Sequence, residues 1–138
     1  MSNWNQITNE REIEALLNLF GGFHDGCIRD IYVTTKQQVN TDLSMTFDNE
    51  QEAIVLFQRQ FKNPTAIELR FSELERLNFN PPEDGIIYDC RLELIEGTFY
   101  WADEENWEHG DNSVTWISSK KLFWRERPEL VGTVKRIE

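Results

Sequence analysis

The first periodic pattern along the chain is helical. Four apolar residues recur at intervals of three and four positions, on one stripe of a helix: Ile13, Leu16, Leu17 and Phe20. Asn9, which precedes this stripe, is an N-cap residue with Glu12 as its capping-box partner, and the glycine pair at residues 21–22 ends the helix. The pattern therefore predicts one N-terminal helix that lays its apolar stripe on a sheet.

After residue 22 the apolar residues follow a period of two, which is typical of strands. The pattern predicts strands at residues 28–35, 43–47, 53–57, 67–71, 86–94, 98–102 and 113–124. The run 53–57 is apolar on both faces, as in a central strand that is covered on both sides. Residues 72–79 fit either a short helical turn or a short strand, and we favour the strand. Alternate apolar residues form one face of two other strands: Leu43, Met45 and Phe47 in the first, and Ile86, Tyr88, Cys90, Leu92 and Leu94 in the second.

One helix followed by seven or eight strands predicts an α+β fold, with the helix packed on a mostly antiparallel sheet. The pattern leaves open whether the sheet stays open, curls towards a barrel or splits into two layers. The sequence contains no internal repeat and no interdomain linker, and 138 residues bury enough surface for one core. We therefore expect residues 1–138 to form a single domain.

Three segments carry a family resemblance. They are Phe-His-Asp-Gly-Cys-Ile at residues 23–28, Gln-Arg-Gln-Phe-Lys-Asn-Pro at residues 58–64, and Trp-Arg at residues 124–125. In this order, after a short helix, they resemble a family of small, uncharacterised bacterial proteins with the pattern Phe-His-Asp-Ser-Cys-Ile. Gly26 stands where the family has serine, so any role of that hydroxyl does not carry over. The resemblance implies a bacterial source and a helix followed by alternating strands, and it implies no activity.

The net charge of the chain limits the classes of partner that we expect. There are 25 acidic and 14 basic residues, which give a formal net charge of -11. Such a charge repels phosphate backbones and anionic lipids, so we expect neither nucleic acid nor a membrane as a partner. No apolar run approaches the roughly 20 residues of a membrane-spanning helix, and two cysteines form no disulfide framework. These observations favour the cytoplasm.

The densest acidic segment surrounds a tryptophan. Five acids lie between residues 101 and 112, where there is no lysine or arginine: Asp103, Glu104, Glu105, Glu108 and Asp111. Trp107 lies among them, and an aromatic anchor with a charged rim is typical of protein-binding surfaces. The segment predicts a non-catalytic interaction domain for a basic protein, for example an immunity protein that neutralises a basic toxin. Ordinary solubility and aromatic packing are the alternatives.

An enzyme is the competing hypothesis. A hydrolase or a metal-assisted enzyme would use His24, Asp25, Cys27 and His109, and Cys90 adds a possible zinc ligand. No nucleotide-binding, metalloprotease or EF-hand motif accompanies these residues. The structural interpretation, which we favour, predicts that His24 and Asp25 tie the end of the helix to the first long strand by local hydrogen bonds. We therefore predict no catalytic residue, no metal and no cofactor, and the two hypotheses differ in whether the four side chains converge in one pocket.

Overall fold

The computed structural model describes residues 3–133, which contain one α-helix, α1 (Glu10–Leu19), and nine strands. In chain order the strands are β1 (Asn5–Ile7), β2 (Gly26–Thr35), β3 (Gln38–Val39), β4 (Met45–Thr46), β5 (Gln51–Arg59), β6 (Ala66–Asn78), β7 (Arg91–Ile95), β8 (Thr98–Ala102) and β9 (Trp116–Glu126). Within this range no helix has the length and apolar character needed to cross a bilayer.

Seven of the strands form one antiparallel sheet. The strand order is β2-β5-β6-β9-β8-β7, and β1 pairs with β9 beside β8. Strands β3 and β4 form a separate small hairpin between β2 and β5. The prediction of an α+β fold with one N-terminal helix and an antiparallel sheet is confirmed. The sheet does not close into a barrel, although the isolated bridge between Gly26 and Ile87 brings the segment before β7 to the start of β2.

The helix begins and ends where its sequence predicts. The Asn9 side chain accepts a hydrogen bond from the Glu12 N–H at 2.9 Å. The Glu12 carboxylate accepts hydrogen bonds from the N–H and the hydroxyl of Thr8 at 2.8 and 2.6 Å. The reciprocal bond of the capping box is therefore made to the residue before the cap and not to Asn9 itself. Gly21 and Gly22 both have positive φ angles, which glycine adopts without strain, and a short 3₁₀ turn follows the helix.

The main core lies between α1 and one face of the sheet. Phe23, Phe57 and Trp101 contact one another at its centre, with ring centroids 4.9–5.9 Å apart. On the opposite face of β5, Leu56 packs with Ala66 and with Leu130 of the C-terminal segment. Strand β5 is therefore covered on both faces, as predicted, but it is the second strand from the β2 edge of the sheet and not central.

Two regions of predicted strand differ in extent from the strands of the structure. Residues 67–71 and 72–79 were predicted as separate elements, but β6 runs continuously through both and has one bulge, between Leu74 and Arg76. The segment 43–47 contributes only Met45 and Thr46 to a hairpin. Its alternating apolar face is not buried, since Leu43 is 81% exposed.

The predicted long strand at residues 86–94 is wrong in its first half. Only the second half forms β7, and the buried side chain before it is Ile87, whereas Ile86 and Tyr88 are exposed. The backbone of Ile87 bonds to Asp25 and to Gly26, at 3.0 and 2.7 Å. These two bonds orient Ile87 towards the core independently of the alternation in β7.

Candidate functional site

His24 and Asp25 lie at the junction between the helix and β2. His24 Nδ1 donates to the carbonyl of Tyr88, and its Nε2 lies 3.4 Å from the Asp25 carboxylate. Asp89 is more distant, at 4.0 Å from Nδ1. His24 therefore ties the end of the helix to the segment that precedes β7, and not to β2 by local hydrogen bonds as the structural interpretation predicts. The hydrogen bond to the Tyr88 carbonyl and the charge of Asp25 raise the pKa of His24 above its ordinary value of 6.5.

We expect an NMR titration of His24 to give a midpoint above 6.5. Because the pKa is raised in the folded state, the contribution of His24 to stability is present at low pH and is lost as the pH rises through the folded pKa. Asp25→Asn removes one of the charges responsible and should lower the midpoint. Asp42→Asn, in the distant hairpin, is the matched control and should leave it unchanged. An Asp25→Asn midpoint equal to that of the wild type would contradict the assignment.

Of the other residues of the enzyme hypothesis, His109 and Cys90 lie in different surroundings, whereas Cys27 lies close to Asp25. His109 Nε2 is 2.7 Å from Glu93, and its ring stacks on Trp107, so it shares no contact residue with His24. Cys27 and Asp25 both line an open depression of about 300 Å³ at the start of β2, and this lining includes neither His24 nor His109. Burial raises the pKa of Cys90 well above its ordinary value, which keeps this thiol protonated at neutral pH. Among residues 3–133, no three His, Cys, Asp or Glu side chains are placed to hold a metal ion.

Trp107 is a packing residue and not an exposed anchor. It is 1% exposed, and its ring contacts those of Tyr100, His109 and Trp116. Its indole N–H donates to the carbonyl of Asp111 at 2.8 Å. The prediction that Trp107 presents its ring at the surface is therefore wrong, because the loop folds back and covers it.

The other acids of the predicted surface fall into two groups. Asp103, Glu104 and Glu105 line a cleft at one end of the sheet. Asp111 instead closes a turn, since its carboxylate accepts from the Ser113 N–H at 2.9 Å, and Glu108 is exposed outside the cleft lining. Three of the five predicted acids thus share one site.

We call this site the acidic cleft. Its volume is about 220 Å³, and it is lined by Asn80, Pro82, Ile86, Tyr88, Asp89, Asp103, Glu104, Glu105, Asn106, Ser113 and Val114. Four of these residues are acids, and the lining contains no lysine, arginine or histidine. The apolar side chains form part of the wall, so the cleft combines negative charge with apolar surface.

The cleft brings together two loops that are distant in sequence. Asn78 of β6 pairs with Trp116 of β9, so the loop after β6 meets the loop before β9. The Asn80 side chain holds them together by donating to the carbonyls of Asn112 and Ser113 at 3.1 and 3.0 Å. Sequence reasoning missed Asp89 because residues 86–94 are predicted to form one strand, whereas Asp89 lies in the loop before β7. The signal that was present is its own acidity, Glu83-Asp84 within the loop and Asp89 at its end.

Asp103 is the most perturbed group in the acidic cleft. Burial, together with the charges of Glu104 and Asp84, raises its pKa to about 7. Its backbone N–H donates to Thr115 at 2.9 Å, which holds the residue at the start of the loop. At neutral pH the ionised carboxylate is therefore unfavourable where it lies, and a cation in the cleft would stabilise it.

Comparison of the chain with protein-family models, with curated proteins and with solved structures finds no match in any of the three. The resemblance to small bacterial proteins therefore stays a prediction.

Proposed function

We propose that this protein is a non-catalytic interaction domain that binds a basic segment of another protein through the acidic cleft. The observation that carries the proposal is the composition of the cleft lining, with four acids and no base. Asp89 has a basic neighbour, since it lies 4.0 Å from His24, whereas the ion pairs of residues 3–133 include none with Asp103, Glu104 or Glu105. An excess of unbalanced acids at one concave site favours and steers a partner of opposite charge.

The walls of the cleft favour a long cationic side chain. Lysine and arginine have an apolar stem and a charged head, and they bury the stem against apolar surface. Ile86, Val114 and the ring of Tyr88 offer that surface, while Asp103 and Glu104 offer carboxylates to the head group. A bare metal ion would use the carboxylates alone, and residues 3–133 provide no cluster with ligand geometry.

The test is calorimetric titration with a synthetic dodecapeptide that has an arginine at every third position. We expect binding by the wild type that weakens steeply with salt, since exposed charges are screened. The triple variant Asp103→Asn, Glu104→Gln, Glu105→Gln should bind at least 10-fold more weakly. The same peptide with glutamate in place of arginine should not bind.

A second triple variant controls for net charge. Glu10→Gln, Glu14→Gln and Glu96→Gln remove three negative charges from exposed positions outside the cleft. This variant should keep the affinity of the wild type. Equal losses in both triple variants would mean that the peptide responds only to total charge, and would contradict the proposal.

The titration of Asp103 provides an independent readout. A guanidinium beside the carboxylate favours the charged form, so saturating peptide should lower the midpoint of Asp103 from about 7. The midpoint is followed by carbon-detected NMR of the side-chain carboxyl. Peptide binding without any change of this midpoint would place the peptide outside the cleft.

A further inference from the structure

Two groups that exchange protons near neutral pH lie at the acidic cleft. Asp103 belongs to its lining, and His24 lies outside the lining but contacts two residues of it, Tyr88 and Asp89. Histidine is the side chain whose ordinary pKa lies closest to neutral pH. A proton makes histidine positive and makes a carboxylate neutral, so protonation of either group reduces the negative charge at the cleft.

The contacts of His24 connect its charge to the acidic cleft. Its Nδ1 donates to the carbonyl of Tyr88 and lies 4.0 Å from the carboxylate of Asp89. Nδ1 keeps its hydrogen in the neutral and in the charged form, so the bond to Tyr88 holds the ring beside Asp89 in both. A proton on Nε2 therefore adds a positive charge next to one of the four acids of the lining. Asp89 then attracts a cationic side chain in the cleft less strongly.

The groups that face His24 favour its protonated form. Its Nε2 lies 3.4 Å from the carboxylate of Asp25, which is the nearer of the two acids beside the ring. The bond to the Tyr88 carbonyl, then the charge of Asp25 and the charge of Asp89, raise the pKa of His24 above its ordinary value of 6.5. His24 is therefore mostly charged at pH 6.5 and loses that charge as the pH rises through its pKa.

Asp103 acts in the same direction from inside the acidic cleft. Burial, then the charges of Glu104 and Asp84, raise its pKa to about 7. A fall in pH through neutrality therefore converts Asp103 to the neutral acid, and the lining loses one negative charge. The loss of this charge and the gain of the charge on His24 both weaken the attraction of a cation.

Three neighbouring groups keep their charge state in this pH range. Asp84 stays ionised, because the hydrogen bonds that it accepts from the Ile86 N–H and the Tyr88 hydroxyl lower its pKa. The hydroxyl of Tyr88 stays neutral, because the bond to Asp84 raises its pKa above 10. Burial likewise keeps the Cys90 thiol neutral. These groups therefore do not offset the changes at His24 and Asp103.

We propose that protonation of His24 and Asp103 releases the basic partner, so that the acidic cleft is occupied above neutral pH and empties on acidification. This regulation rests on the proposed function of the cleft and adds the condition under which the partner leaves. Protonation of histidine is a known means of switching protein interfaces. The coupling is reciprocal: a bound guanidinium disfavours both protonated forms, so binding of the partner releases protons.

Calorimetric titration of the full chain with the arginine dodecapeptide, at two pH values, tests the regulation. Arginine stays charged at both, and acetylated and amidated peptide termini carry no charge. We expect the wild type to bind about 10-fold more weakly at about pH 6 than at about pH 8.5. Titrations near pH 7 in buffers of different ionisation enthalpy should show release of on the order of one proton.

Substitutions of His24 separate its contribution from that of Asp103. His24→Gln cannot become charged, so at about pH 6 it should bind about 3-fold more tightly than the wild type, the effect of one exposed charge pair. His24→Lys is charged at both pH values and should bind about 3-fold more weakly than the wild type at about pH 8.5. Asp103→Asn has no carboxylate to protonate, and its affinity should depend less on pH.

The second histidine of the chain provides the matched control. His109 pairs with Glu93 and lies outside the cleft lining. His109→Gln should therefore keep the wild-type ratio of affinities between the two pH values. Circular dichroism at both pH values verifies that all variants are folded.

The possible results distinguish the regulation from the binding itself. A wild type that binds the peptide equally at both pH values would overturn the regulation and leave the proposed function intact. A wild type that binds at neither pH would overturn both. A His24→Gln protein with the wild-type ratio of affinities would also overturn the proposal, because the pH dependence would then come from Asp103 alone.

Discussion

Glu68→Ala is expected to lower the free energy of unfolding by about 3–5 kcal/mol at neutral pH. Glu68 is 1% exposed, and its Oε1 accepts hydrogen bonds from Arg125 and Arg127, both at 2.7 Å. Without the carboxylate, both guanidinium groups lose this anionic partner. They lie on the face of the sheet against which the C-terminal segment packs. Urea unfolding measures the change. Glu73→Ala is the matched control, because Glu73 pairs with Lys121 at the surface and should contribute at most about 1 kcal/mol.

The same carboxylate gives a pH dependence with a definite sign. Burial opposes the ionisation of Glu68, but the hydrogen bonds and charges of Arg125 and Arg127 outweigh it and hold the pKa below its ordinary value of 4.5. The stabilisation is therefore present above pH 4.5 and is lost as the pH falls through the lower folded pKa. Glu68→Gln should flatten the stability profile in the acid range. Parallel acid profiles for the two proteins would contradict this assignment.

Trp107→Ala is the second substitution with a large expected effect, about 3–5 kcal/mol. The ring fills the space between Tyr100 and Trp116, and its N–H holds the carbonyl of Asp111, so truncation leaves a cavity and frees the loop. Chemical unfolding gives the change in stability, and hydrogen exchange of the loop amides shows whether the loop opens. Phe79→Ala, at an exposed aromatic, should change stability by less than about 0.5 kcal/mol.

Substitutions of Trp107 also distinguish a role in packing from a role in binding. If Trp107 only supports the loop, the weakly destabilising Trp107→Phe should retain the affinity of the acidic cleft for the arginine peptide. A Trp107→Ala protein that is as stable as the wild type but no longer binds the peptide would restore Trp107 to the binding surface.

The elements with a complete local pattern could be predicted from the sequence. The helix has an apolar stripe, a cap at Asn9 and a glycine stop, and all three act within a few residues of the chain. The run 53–57 is apolar on both faces because β5 has neighbours on both faces. In these cases the side-chain pattern and the tertiary environment require the same structure.

The structure differs from the sequence predictions where tertiary contacts determine which side chains are buried. Ile87 is buried because its backbone bonds to Asp25 and Gly26, which lie 61 or more residues earlier in the chain. The alternation of apolar and polar residues near residue 87 does not indicate those bonds. Leu43 and Phe47 have the spacing of a buried face, but nothing in residues 3–133 covers them.

The candidate site was predictable in part. Acid-rich composition was sufficient to find Asp103, Glu104 and Glu105, because uncompensated charge is visible in the sequence. The contribution of Asp89 required the pairing of β6 with β9, which brings its loop to the same end of the sheet. The burial of Trp107 required the fold of its own loop, whose irregular backbone has no periodic pattern to reveal it.

The position of β9 in the sheet has a consequence for how the chain folds. Strand β9 pairs with β6 and with β1, and the bond from Asn5 to Trp124 spans 119 residues. Such distant contacts close large loops, so we expect refolding in milliseconds to seconds and not in microseconds. During synthesis, β6 precedes β9 by a time on the order of seconds. Until β9 is made, Leu69 and Phe71 lie beside an open strand edge, and nascent chains should depend on chaperones in that interval.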